Sequence, residues 1–163
     1  MAGLISINKP HTDNIFSYLK SLEWRKFPLP KGKYYVYETK NKGGCGMVIG
    51  EMMIVGAKAV DTAQPLEVCV VNAGCVHPVA LKKYANNGVL YANFIEGARR
   101  YKEPKPLSLF YKECTGLDNT GLCDECENAV GEECDCALNG QLHLTRPPQS
   151  WCRVEVVRNG SLE

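Results

Sequence analysis

The sequence predicts a small, mainly β, α+β domain, and three observations predict it. Runs rich in β-branched and aromatic residues recur at 4–7, 22–27, 33–38, 47–55, 89–95 and 151–157, separated by Gly- and Pro-bearing breaks. Only two segments, 11–22 and 78–88, carry helix signals. The longest apolar run contains Gly50 and Gly56, which permit the bends that a barrel strand needs. At 163 residues the chain fits one domain with a core of its own.

Leu4-Ile5-Ser6-Ile7 reads as the first strand, ended by Pro10. His11 or Thr12 starts a helix, Asp13 suits its positive end, and Ile15, Phe16, Leu19 and Leu22 fall on one side. Leu22–Phe27 is a strand broken by Pro28 and Pro30, and Lys33–Glu38 is the next. Asn41 to Gly46 reads as a hairpin turn, since no Gly-Lys-Ser/Thr run follows that would make it a phosphate loop. Met47–Val55 is the central strand, and its single charge, Glu51, faces either the barrel opening or solvent. Val68–Val71 reads as a further short strand. Pro78 opens the second helix, Gly88 ends it, and His77 is a cap or surface residue. Val89–Ile95 and Trp151–Val157 complete the set, with Leu107 and Phe110 returning to the core after Pro104 and Pro106.

No apolar run is long enough to cross a membrane, and the N-terminus lacks the regions of a signal peptide, so the expected location is the cytoplasm. The net charge of +1 hides a division. Residues 113–140 hold eight acids and no Lys or Arg, which leaves all 19 basic residues against 10 acids in the remainder. The expected organisation is one domain over 1–158, with 113–140 as an acidic Cys-rich insert and 159–163 as a tail. Nine cysteines in a cytoplasmic chain argue for thiols and metal. Cys123, Cys126, Cys134 and Cys136 supply four soft ligands within a short span, the set that a structural zinc needs. Cys114 or His143 could replace one of them, and a flexible acidic loop with free thiols is the alternative.

Lys20-Ser21-Leu22-Glu23-Trp24-Arg25 is the stretch richest in chemistry. On a strand, Glu23 and Arg25 share one face while Trp24 points away, and Lys20 at the helix end lies near them. Three such groups make a polar binding floor, a catalytic constellation or a partly exposed salt-bridge cluster. Basic residues interleave with aromatics around Trp24–Tyr35 and again at Arg99-Arg100-Tyr101-Lys102, a pattern that suits phosphates and unpaired bases.

Leu4-Ile5-Ser6-Ile7-Asn8-Lys9-Pro10, a helix, then Lys-x-x-Glu-x-Arg resembles the start of the ASCH domain, a small β-barrel related to the PUA fold. Gly46-Met47-Val48-Ile49-Gly50-Glu51 looks like its central strand, and Arg146-Pro147-Pro148-Gln149-Ser150-Trp151-Cys152 resembles the closing strand of ASCH-like proteins of prophages and mobile elements. The resemblance implies a PUA-like barrel with two or more peripheral helices that binds RNA or a nucleotide-like ligand at its mouth. The expected contacts are Lys9, Lys20, Glu23, Arg25, Arg99 and Arg100. It also implies an alternative, a small hydrolase acting on modified nucleosides or RNA through Lys20 and Glu23. The amidohydrolase pattern departs here: Glu23 stands where those enzymes have threonine, and the helix at 78–88 has no acid. A third possibility is an adaptor that meets a protein partner through the acidic insert.

Overall fold

One seven-stranded sheet organises the chain, and the computed structural model describes residues 2–112 and 143–156. The strands are β1 (Ala2–Ile7), β2 (Leu22–Arg25), β3 (Gly32–Glu38), β4 (Met47–Asp61), β5 (Val89–Lys105), β6 (Phe110–Lys112) and β7 (Trp151–Val156). They lie in the order β2-β5-β4-β3-β1-β7-β6. Every neighbouring pair is antiparallel except β1 and β3, whose connection must cross over and carries α1 (Lys9–Phe16) and β2.

The expected barrel is not closed. Among the described residues, no backbone pairing joins the edges β2 and β6. β2 has only four residues, and Pro28 and Pro30 in the segment after it have no N–H to extend a ladder. Side chains cross the opening instead. Arg25 donates to the Ser6 carbonyl at 2.8 Å and to the Ser150 hydroxyl at 3.1 Å.

Period-2 alternation splits the core between two faces. Ile5, Val36, Met52 and Ile54 pack with Ile15 under α1, while Leu4, Tyr35, Tyr37, Tyr101 and Phe110 pack on the other side. Gly50 lets α1 approach, since a Cβ there would meet the Phe16 ring at 2.6 Å. β4 and β5 run well past their expected ends, through Asp61 and Lys105, because each supplies the other's hydrogen-bond partners. Their register shifts beside Gly50 and Gly56 accommodate the bend. The turn at 41–46 is the expected hairpin connection, with Lys42, Gly43 and Gly46 at positive φ.

Val68–Val71 is not a strand but part of a third helix, α2 (Val68–Gly74). Val70 and Ala73, three residues apart, join Leu22, Trp24 and Leu81 in a separate apolar cluster, and that packing overrides the β preference of valine. α3 (Pro78–Ala85) forms as expected, and His77 caps it by accepting the Val79 N–H. α1 stops at Phe16, short of the expected Leu22. Tyr18 takes a left-handed backbone (φ 60°), and Leu19 turns outward to solvent.

Candidate functional site

β2 does what its alternation demands. Trp24 enters the cluster with Leu81, while Glu23 and Arg25 project from the other face. Arg25 Nη2 lies 3.0 Å from Glu23 Oε1, and Lys20 Nζ lies 3.4 Å from Glu23 Oε2. Lys20 arrives from the loop after Tyr18, not from a helix end, and donates to the Gly74 carbonyl at the end of α2 (2.7 Å). Side-chain exposure is 1% for Lys20, 9% for Glu23 and 11% for Arg25, so the partly exposed surface cluster is ruled out. This is a buried ion cluster, assembled from the α1–β2 loop, β2 and α2.

Sequence reasoning missed His11. It lies half-buried in the first turn of α1, and its Nδ1 is buried without a partner, as is Arg25 Nε. Burial, and next the charge of Lys20, hold the His11 imidazole below its ordinary pKa. The available signal was its spacing of four residues from Ile15, which places both on one side of the helix. Tyr18 was missed as well. Its ring is exposed, its hydroxyl reaches the Ala98 carbonyl (3.0 Å), and with Lys20 it borders a cleft of about 60 Å³.

The remaining candidates do not join the cluster. Lys9 and Arg100 share Asp13 on the outside of α1, at 2.9 and 3.7 Å, and Arg100 lies over the Phe16 ring. Arg99 pairs with Glu51 (3.1 Å), which also receives Lys33 (2.8 Å) and the Tyr101 hydroxyl (2.9 Å). Burial opposes ionisation of Glu51, but the bonds from Lys33 and Tyr101 and the two cationic charges outweigh it and hold its carboxyl below the ordinary range. Glu51 therefore lies on the outer, solvent-facing side, where with the largely exposed Lys33 and Arg99 it centres a second ion cluster.

Cys123, Cys126, Cys134 and Cys136, with Cys114, lie outside the described residues. Among the described residues no group of three or more His, Cys, Asp or Glu could hold a metal ion. His143, the other candidate ligand, stacks on Tyr111 with ring centroids 6.1 Å apart. No described helix is long and apolar enough to cross a membrane.

No family model and no curated protein matches this sequence. Solved structures do. The crystal structure of ASCH from Zymomonas mobilis superposes with a TM-score of 0.58 at 16% identity, covering 97% of this chain and 88% of that one. A serine-to-alanine mutant of the same protein gives 0.59 at 15% identity, with 97% and 89% covered. A tyrosine-to-phenylalanine mutant gives 0.58 at 16%, with 97% and 91% covered. At such identity the likeness is one of fold, and it spans nearly the whole of each chain. The chain therefore has the ASCH fold, as the order of its motifs implied.

Proposed function

We propose that the chain recognises RNA or a nucleotide-like group at the open edge of its sheet, beside Lys20, Glu23 and Arg25. The observation that carries this reading is the burial of that cluster. Desolvating three charges costs several kcal/mol per ion, and apolar residues of similar volume would often stabilise the fold more. Local choices that cost stability without an evident structural gain are what functional sites tend to carry. The ASCH fold and the excess of basic residues outside the insert support the same reading. Lys9, Arg99 and Arg100 then serve as outlying phosphate contacts on the basic body.

The hydrolase alternative draws no support from the geometry. Both partners of Lys20 Nζ, the Gly74 carbonyl and Glu23, are acceptors, so the amine acts as a donor in this arrangement. Soaking crystals of the full chain with nucleosides, nucleotides and short RNAs tests the proposal. Density within hydrogen-bond distance of Lys20, Glu23 or Arg25 is expected; density confined to the Glu51 cluster would refute it.

The insert has a separate proposed role. We propose that Cys123, Cys126, Cys134 and Cys136 hold one structural zinc, and that the eight acids of 113–140 meet a basic protein partner. Elemental analysis of reduced, folded protein should find about one zinc per chain. A metal-free folded sample would remove that role.

A further inference from the structure

α1 ends on a left-handed residue, as helices often do, and glycine is the usual occupant because it has no Cβ to strain. Here Tyr18 holds that position, at φ 60°. Capping bonds close the turn: the Tyr18 N–H donates to the Ile15 carbonyl (3.0 Å), and the Leu19 and Lys20 N–H groups donate to the Asn14 carbonyl (2.9 Å each). Bulky side chains rarely adopt this conformation, and Tyr18 gains little burial by it. Its ring stays 77% exposed, with Leu19 exposed beside it. The ring is nevertheless held. Its hydroxyl donates to the Ala98 carbonyl (3.0 Å), just past a bulge at Gly97 (φ 54°) where the β4–β5 register shifts. A local choice that costs stability and leaves an aromatic ring fixed in solvent points to a ligand that lies on the ring.

The cleft that Tyr18 borders joins the ring to the candidate site. Tyr18, Lys20 and Ser21 line it from the α1–β2 loop, and residues 95–98 line it from β5. Its charged members are Lys20, whose amine is held by Glu23 and the Gly74 carbonyl, and Glu96, which has no ion pair among the described residues. A free carboxylate repels phosphate, so the cleft suits a neutral polar edge. At about 60 Å³ it falls well short of the roughly 300–1,000 Å³ that encloses a whole ligand, so a planar group can put only its edge inside. Building on the recognition reading above, we propose that Tyr18 is the stacking platform for an unpaired base of single-stranded RNA, with the edge of that base entering the cleft beside Lys20. Every base has a π-face, so the platform is tolerant of sequence. A ring fixed at both its backbone and its hydroxyl loses little freedom on stacking, which favours affinity.

Binding of the full chain to a short single-stranded RNA, and to the same ribose-phosphate backbone without its bases, tests this, with parent and Tyr18→Gly compared at fixed ionic strength. The parent should prefer the base-bearing strand. Tyr18→Gly should bind that strand at least about fivefold more weakly, as loss of one aromatic–base stack implies, and bind the abasic strand as the parent does. Because glycine relieves the left-handed backbone, the melting temperature should stay within about 4 °C of the parent or rise. If this variant does not fold, upfield shifts of the Tyr18 ring protons in the parent, seen with RNA and absent with the abasic strand, read the same contact. RNA affinity unchanged in the folded variant, equal loss for both strands, or ring protons unmoved in the parent would overturn the platform. If the Arg25 Nε–H still shifts in those cases, recognition at the ion cluster stands. No RNA binding by the parent would overturn both.

Discussion

Two ion clusters of the same composition sit in this fold, and they differ in surroundings more than in geometry. Lys20, Glu23 and Arg25 meet at 3.0–3.4 Å; Lys33, Glu51 and Arg99 meet at 2.8–3.1 Å. The first set is nearly sealed, whereas Lys33 and Arg99 keep 39% and 58% of their side-chain surface in solvent. At equal separation, attraction between charges scales inversely with the effective dielectric, and so does the cost of leaving one unpaired. A Lys-Glu-Arg triad therefore has no fixed worth. On the outer face it is a mildly stabilising ornament. Inside, each charge depends on its partners for the compensation that water would otherwise give.

The largest effect that would sharpen this contrast is on stability. Glu23→Gln leaves two buried cations without their carboxylate and should cost about 3–5 kcal/mol in urea unfolding. A loss below about 1 kcal/mol, the worth of an exposed pair, would mean that water reaches the cluster freely. Gly74→Ala attacks it from the side. A Cβ on Gly74 would overlap Trp24 Nε1, so the end of α2 must shift and carry the Lys20 acceptor with it. Overpacking of this kind costs about 1–3 kcal/mol, and nucleotide affinity should fall with it. Unchanged stability in that variant would separate α2 from the site.

Acid separates the clusters by their titrating groups. His11 is held below its ordinary 6.5 by burial and then by Lys20, so the unfolded chain binds the proton first. Its contribution to stability is complete above 6.5 and is lost as the pH falls through the depressed folded value. Glu51 titrates below its ordinary 4.5, so its contribution is present above 4.5 and is lost only as the pH drops further. Thermal melts should therefore weaken in two stages on acidification, and His11→Ala should remove the first alone. A single stage near the carboxylate range in the parent would contradict the burial of His11. The smallest effect is expected from Glu51→Gln, about 0–1 kcal/mol and reduced by salt. A loss matching that of Glu23→Gln would erase the distinction between the two clusters.

How far the sequence carried depends on the range of the forces involved. The Glu23–Arg25 face was legible because a strand's period of two is local, and the His77 cap because a cap is formed by neighbours. α2 was not legible, since valines that favour strands become helical only once Trp24 and Leu81 are there to pack against. Nor was the open sheet, because edge pairing depends on residues far apart in sequence; Arg25 reaches Ser150, 125 residues away, through its side chain and not through backbone pairing. Burial of Lys20 has the same origin: its acceptor, Gly74, lies 54 residues downstream in a segment that gave no polar signal. His11 failed to stand out because an unpartnered atom is a property of three-dimensional surroundings, not of spacing.

The central claim is that recognition occurs at the sealed cluster and not at the open one. Arginine Nε–H resonances in ¹H–¹⁵N spectra report both in one sample, because Arg25 belongs to the first and Arg99 to the second. During titration of the full chain with cytidine 5′-monophosphate, the Arg25 Nε–H should shift saturably, while Arg99 shifts weakly and only at low salt. A saturable shift at Arg99 with Arg25 unmoved would contradict the account.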